Sequence, residues 1–295
     1  MMGFLDSRAR ATTFLPDSNA AWRQLAIGLA LATFGSAGMW SVVVALPAVQ
    51  AEFGGTRGGA ALPFAMAMLG FGLGNVVLGR ITDRIGIGAA VLIGILTMSA
   101  GYVLAGLSSA LWQFTLIHIL VGLGSSATFG PLMAEVSRWF GRRRALAISI
   151  TSSGNYLAGA IWPPLFERGI ALYGWRWTHI AFGILSLVAM SALYIMLSRR
   201  RVDEHAIAAR VIAGPRVDLR MSANMLTLIL SIAGIACCVA MAMPQVHIVA
   251  LCGDLGYGAA RGAEMLALML GSGIIARIAS GFLADRLGGL TVLLI

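Results

Sequence analysis

Apolar runs of membrane-crossing length, repeated along the chain with arginines gathered between them, limit this sequence more than any other feature. A helix crosses about 30 Å of hydrocarbon with roughly 20 residues, rising about 1.5 Å per residue. Nearly charge-free runs of that length cover 25–50, 58–79, 88–109, 112–136, 145–167, 176–198, 222–251 and 259–281, and a ninth begins at 289. Lipid offers main-chain polar groups no hydrogen bonds, so each run is predicted to be a helix. The chain is 59% hydrophobic and 11% charged, whereas a water-soluble domain carries about 25% charged residues. The expected fold class is an all-α polytopic membrane protein.

The charge is as telling as its scarcity. All 21 basic residues are arginine, against 12 acidic ones, for a net charge of +9. The absence of lysine excludes P-loop and Schiff-base chemistry. Because the arginines cluster between apolar runs, the expected partner is a lipid bilayer and not nucleic acid. One alternating set of segments holds sixteen arginines; the other holds only Arg57, Arg168, Arg176 and Arg261, with Arg277 left inside a span. That asymmetry places the N-terminus in the cytoplasm. The first run is too long and too late for a signal peptide. The expected location is a bacterial inner (plasma) membrane, crossed many times. Cys237, Cys238 and Cys252 lack metal-ligand spacing, so no metal or cofactor is expected.

The longest connection, rich in charge and carrying Pro215, divides the chain. The expected organisation is a cytoplasmic segment over 1–24, a six-helix bundle over 25–198, a cytoplasmic linker over 199–221 and a partial second bundle over 222–295. An octamer repeats across this division. Gly79-Arg80-Ile81-Thr82-Asp83-Arg84-Ile85-Gly86 returns as Gly281-Phe282-Leu283-Ala284-Asp285-Arg286-Leu287-Gly288, 202 residues later. Both copies fall where the second span of a bundle turns back at the arginine-rich face. Glycines at each end permit a tight turn and close helix approach. The aspartate can sit at the positive N-terminus of a neighbouring helix, or pair with an arginine such as Arg138 or Arg142. Gly79, Asp83, Arg84, Gly86, Gly281, Asp285, Arg286 and Gly288, with those two arginines, are the candidate gating residues.

With this pair of motifs the chain resembles the major facilitator superfamily, whose loop between helices 2 and 3 carries the octamer and whose loop between helices 8 and 9 carries a weaker counterpart. The resemblance implies twelve helices, so a chain that stops as the ninth begins looks truncated and is expected to fold poorly. After Gly86, Ile87 and Gly88 replace the family's usual basic pair.

Arg277 is the costliest residue inside a span, at about 2.5–3.5 kcal/mol for mid-membrane insertion. No acid lies within a helical turn of it. An anionic substrate can neutralise it through a bidentate carboxylate contact; the alternative is that it snorkels to the surface, about two turns away at Asp285. The region is similar to the monocarboxylate and oxalate/formate antiporter-like branch, where a helix 8 arginine before the second loop motif binds the substrate carboxylate, and Arg277 matches it. Arg142-Arg143-Arg144-Ala145-Leu146-Ala147 resembles the start of helix 5 in that branch, and Gly174-Trp175-Arg176-Trp177 the start of its helix 6. Proton-coupled animal carriers place an aspartate four residues before the arginine, where this chain has Gly273, and use a helix 1 lysine that it lacks. Proton symport by that pair is therefore not expected.

His118, Asn155, Tyr156, Gln245 and His247 join Arg277 as candidate substrate-binding residues. A lone intramembrane histidine can equally bond a backbone carbonyl. Glu135 is expected to pair with Arg138 at i,i+3. Gly70-Phe71-Gly72-Leu73-Gly74 follows no strand, so it reads as close helix packing and not as a dinucleotide loop. The leading expectation is secondary active transport of a small organic anion, a mono- or dicarboxylate, by alternating access. Alternatives are a proton-coupled drug or metabolite exporter of the same fold, or a transport-inactive membrane sensor or scaffold. No zinc-protease motif, nucleophile elbow or paired mid-membrane carboxylate points to an enzyme.

Overall fold

A computed structural model of the chain describes residues 13–14, 17–54, 57–198, 201–202, 222–257 and 259–294. Nearly all of it is helix. In chain order the helices are α1 (Asn19–Gly35), α2 (Ala37–Phe53), α3 (Arg57–Ile85), α4 (Ile87–Gly106), α5 (Leu111–Ser126), α6 (Gly130–Arg138), α7 (Arg144–Ser152), α8 (Gly154–Ser198), α9 (Ala223–Asp254), α10 (Ala259–Leu287) and α11 (Gly289–Leu294). A two-residue parallel pairing sets Thr13 against Arg201 and Phe14 against Val202, tying the N-terminal segment to the chain just after α8.

Among the described residues, seven helical stretches are long and apolar enough to cross a membrane. One of them, Arg144–Leu197, is 54 residues long. At about 1.5 Å per residue it would run roughly 80 Å, more than twice a bilayer core. It folds at Gly174, whose φ of 80° and ψ of 159° break α8 into two crossings. Glycine alone takes such a conformation without strain. Counting the two arms of α8 separately gives eight helical stretches of this kind among the described residues, followed by the short α11. Their ends reach further than hydropathy indicates. The first helix begins at Asn19, six residues before the apolar run, and α3 and α10 continue six residues past theirs, to Ile85 and Leu287. These extensions carry Arg23, Arg84 and Arg286, which suit helix ends at the headgroup level.

Three crossings are interrupted: at Ser36 between α1 and α2, at 127–129 between α5 and α6, and at Ser153 between α7 and α8. Pro131 stands in the first turn of α6, where its missing N–H costs nothing, so it starts a helix and does not kink one. Pro163, Pro164 and Pro244 lie inside helices.

The first bundle closes by small-residue packing. A Cβ on Gly70 would collide with the Ile119 main chain, and one on Gly74 would fall 2.7 Å from the Leu123 carbonyl. The glycine-rich stretch thus lets α3 lie directly on α5. The main core gathers Leu31 of α1, Ile95, Met98 and Tyr102 of α4, and Leu132 and Trp139 at α6, all at most 1% exposed. Leu270 of α10 joins the same core and is also 1% exposed, so α10 docks on the preceding helices. Helix α9 is different: none of its membrane-crossing window, Asn224–Met241, is buried among the described residues.

Candidate functional site between α7, α8, α9 and α10

Arg277 is set by its position on α10, the helix that lies against α7 and the first part of α8. Its guanidinium reaches across to α7 and α8. It lies over the Tyr156 ring, 4.6 Å from the centroid. One nitrogen is 3.3 Å from the Tyr156 hydroxyl and another 3.5 Å from the Ser152 carbonyl, beside the helix interruption at Ser153. Among the described residues no carboxylate lies within 4.0 Å of it. A half-buried cation thus reaches from α10 to α7 and α8 with a π-face and two weak acceptors as its partners.

The tyrosine is 9% exposed, and its hydroxyl reaches the Met241 sulfur of α9 at 3.9 Å. Gly273, one turn before Arg277, packs against the same ring: a Cβ there would lie 2.8 Å from the tyrosine Cε1. The missing carboxylate four residues before the arginine therefore has a steric reason. An aspartate at this position would displace Tyr156, the residue that holds the guanidinium.

The remaining candidates are distributed unevenly. Asn155 is next to Tyr156, half-buried; its carbonyl accepts from Trp40 Nε1 at 3.2 Å, while its side-chain oxygen is buried without a protein partner. Gln245 is half-buried on α9, beside Pro244. His247 is on the same helix, with a side chain outside the described residues. His118 departs from the expectation that it lines the site. It is wholly buried in the first bundle, its Nδ1 2.7 Å from the Phe114 carbonyl and its ring 4.3 Å from the Phe114 ring. Packing among aromatics on α4, α5 and α8 holds it there, away from Arg277. A residue overlooked in the sequence, His179, repeats the arrangement with Nδ1 2.8 Å from the Trp175 carbonyl, and the two imidazoles are 6.4 Å apart.

The two octamers share a local structure. In each, a long helix ends one residue before the last glycine, which takes positive φ (103° at Gly86, 87° at Gly288), and the next helix starts immediately. The glycine N–H closes the turn on Thr82 or Ala284, at 2.9 and 3.0 Å. Their surroundings differ. Asp285 caps α7: its two oxygens accept from the Ala145 and Leu146 N–H groups at 2.8 and 2.9 Å. Gly281 presses on Ser149, where a Cβ would lie 2.6 Å from that of the serine. By contrast, Asp83 forms no hydrogen bond or ion pair among the described residues, and a Cβ on Gly79 would meet nothing within 4 Å. Of the two partners expected for the aspartate, Asp285 takes the helix N-terminus. Neither arginine lies within 4.0 Å of either aspartate. Arg138 pairs with Glu135 at 3.5 Å, and the Arg142 main-chain N–H donates to Asp17 at 3.2 Å. Helix starts favour a carboxylate because their N–H groups have no intrahelical acceptor.

On the opposite face, unnoticed in the sequence, Glu52 accepts from Arg176 at 2.7 Å and from Trp175 Nε1 at 2.7 Å. Arg176 also donates to the carbonyls of Gly106 and Ser108. This joins the ends of α2 and α4 to the break in α8 at Gly174. Arg176→Ala is expected to lower the thermal midpoint more than Glu52→Ala, by about 2–4 °C, since it also leaves two carbonyls without their donor. Scanning fluorimetry of the purified variants would show it.

The Major Facilitator Superfamily profile matches residues 26–295. An MFS-type transporter of Gibberella moniliformis is 30% identical over 73% of this chain and 51% of its own length. The agnestins efflux protein of Paecilomyces divaricatus is 30% identical over 74% of the chain and 49% of its own. Monocarboxylate transporter 13 of Bos taurus is 29% identical over 73% and 50%. The chain spans about half the length of these curated relatives. The paired octamers, the helical crossings and the match over nearly all its length make this chain a multi-pass integral membrane protein that belongs to the major facilitator superfamily.

Proposed function

We propose that the protein is a secondary active transporter of a small organic anion, a mono- or dicarboxylate, and that Arg277 binds the carboxylate. One observation carries this reading: a guanidinium between the two bundles whose contacts are a tyrosine ring, a hydroxyl and a carbonyl, with no carboxylate in reach among the described residues. The planar fork of arginine matches a carboxylate bidentately, and a partly desolvated site strengthens that pairing. Tyr156 orients the fork by stacking, and Asn155, Gln245 and His247 are the proposed polar lining. The likeness to monocarboxylate transporter 13 supports the substrate class.

Alternating access would make and break the Asp285 cap on α7, with Gly281 against Ser149 as the sliding contact. The bias of sixteen arginines to four supports a cytoplasmic N-terminus. Relatives from fungi and a mammal give the bacterial inner membrane no support, so no source membrane is part of the proposal.

A second reading keeps the fold and changes the cargo. The likeness to the agnestins efflux protein favours export of a larger metabolite. The two are separated by counterflow in proteoliposomes with labelled pyruvate or oxalate against a panel of neutral compounds. Exchange of a carboxylate that Arg277→Gln removes supports the first; exchange of neutral compounds alone, indifferent to Arg277, would falsify it.

Gly273→Asp tests the packing around the arginine. It is expected to destabilise the protein by about 1–3 kcal/mol through overpacking against Tyr156. It is also expected to bring no proton dependence. A midpoint unchanged from the parent, with transport newly driven by a pH gradient, would show that Tyr156 moves aside freely.

A further inference from the structure

We infer that the cavity at the arginine-rich ends of α1, α7 and α10 is a binding site for the phosphate headgroup of an anionic phospholipid. It encloses about 710 Å³, a volume in the range of small-molecule sites. Arg142, Arg143 and Arg286 line it, together with Trp22, Leu146 and Phe282. Two carboxylates also face it, but both are already engaged by main-chain donors. Asp17 accepts from the Gly141 and Arg142 N–H groups at 3.2 Å each, and Asp285 from those of Ala145 and Leu146 at 2.8 and 2.9 Å.

Three guanidinium groups thus share one cavity, and among the described residues none has a carboxylate within 4.0 Å. Two of them rest on rings instead: Arg143 lies 5.8 Å from the centroid of Trp22, and Arg286 lies 4.2 Å from that of Phe282. Like charges gathered without an anion repel one another, and a phosphate that accepts from several of them removes that cost.

The depth of the cavity identifies the source of the phosphate. Its walls come from the ends of three membrane-crossing stretches, Asn19–Phe53, Arg144–Leu197 and Glu264–Leu287. Arginines and a tryptophan at such ends sit at the headgroup level, where lipid phosphates are the most concentrated anions. Phe282, 44% exposed, offers an apolar surface along which an acyl chain can run. The site is separate from that of Arg277 and does not depend on the cargo proposed above.

The test uses the full chain in nanodiscs of phosphatidylcholine, with and without phosphatidylglycerol brominated on its acyl chains. The readout is the part of the tryptophan emission that Trp22→Phe removes. Brominated phosphatidylglycerol is expected to quench that part, and brominated phosphatidylcholine at the same fraction is not. In Arg142→Gln/Arg286→Gln, about thirtyfold more anionic lipid should be needed for half-maximal quenching, from about fivefold in surface affinity for each of the two arginines lost. Arg286→Lys, which keeps the charge, should retain most of the effect and guards against a folding defect. Equal quenching by both lipids, or no change in the double variant, would overturn the assignment. So would relief of quenching by inorganic phosphate at concentrations that leave the vesicle surface potential unchanged, which would identify a soluble-anion site instead.

Discussion

Replacing Arg277 by alanine is expected to weaken carboxylate binding by at least about thirtyfold, and to reduce transport of that substrate by a similar factor. Truncating one partner of a desolvated charge pair costs about 2–5 kcal/mol, because the other charge is left unpaired. Here the loss is compounded by Tyr156, which would no longer have a guanidinium over its face. Arg277→Lys should fall in between. An ammonium keeps the charge but cannot form the two parallel bonds of the fork. Tyr156→Phe removes the hydroxyl at 3.3 Å and keeps the ring, so it should cost less than Tyr156→Ala. Binding of a labelled carboxylate to purified protein, at matched protein amounts, measures all four. Wild-type affinity in Arg277→Ala would end the substrate assignment while leaving the membrane architecture untouched.

Asp285→Ala is expected to loosen the contact between α10 and α7 by about 1–3 kcal/mol, the range for leaving hydrogen-bonded partners unsatisfied. The Ala145 and Leu146 N–H groups lose their acceptors, and the start of α7 loses the negative charge that its dipole favours. The conformation with this joint open should become roughly 5- to 150-fold more populated relative to the closed one. A cysteine introduced as Ser149→Cys reports it, since Ser149 is covered by Gly281 in the closed joint. Its labelling rate should rise in Asp285→Ala. It should stay near the parent's in Asp83→Ala, whose carboxylate has no partner among the described residues in this conformation. Equal rates in all three would mean that the aspartate caps α7 without governing the joint.

The residues that were readable without coordinates share one property: their energetics are set by the bilayer or by their immediate neighbours in sequence. Hydropathy located the crossings because every main-chain group in lipid must be bonded within its own helix. The octamers announced two identical turns because a positive φ selects glycine. The Glu135–Arg138 pair followed from i,i+3 spacing alone. Helix ends were misplaced by up to six residues because α1, α3 and α10 continue into the headgroup region, where arginines and polar residues stabilise a helix that hydropathy does not register. His118 was drawn into the candidate site by its chemistry, and His179 was passed over, although the structure gives both the same buried setting.

By itself, then, the sequence determined that the chain lies in a membrane, that it is built from helices of membrane-crossing length and which glycines turn it. Tertiary structure alone decided which way Arg277 points, which of two identical aspartates is capping a helix, and that Glu52, Trp175 and Arg176 meet on the far face. The physical reason is range. Burial in lipid and local dihedral preference act on each segment separately. A capped helix start, a stacked guanidinium or a filled cavity needs groups more than a hundred residues apart to arrive within a few ångströms, and only packing between helices determines that.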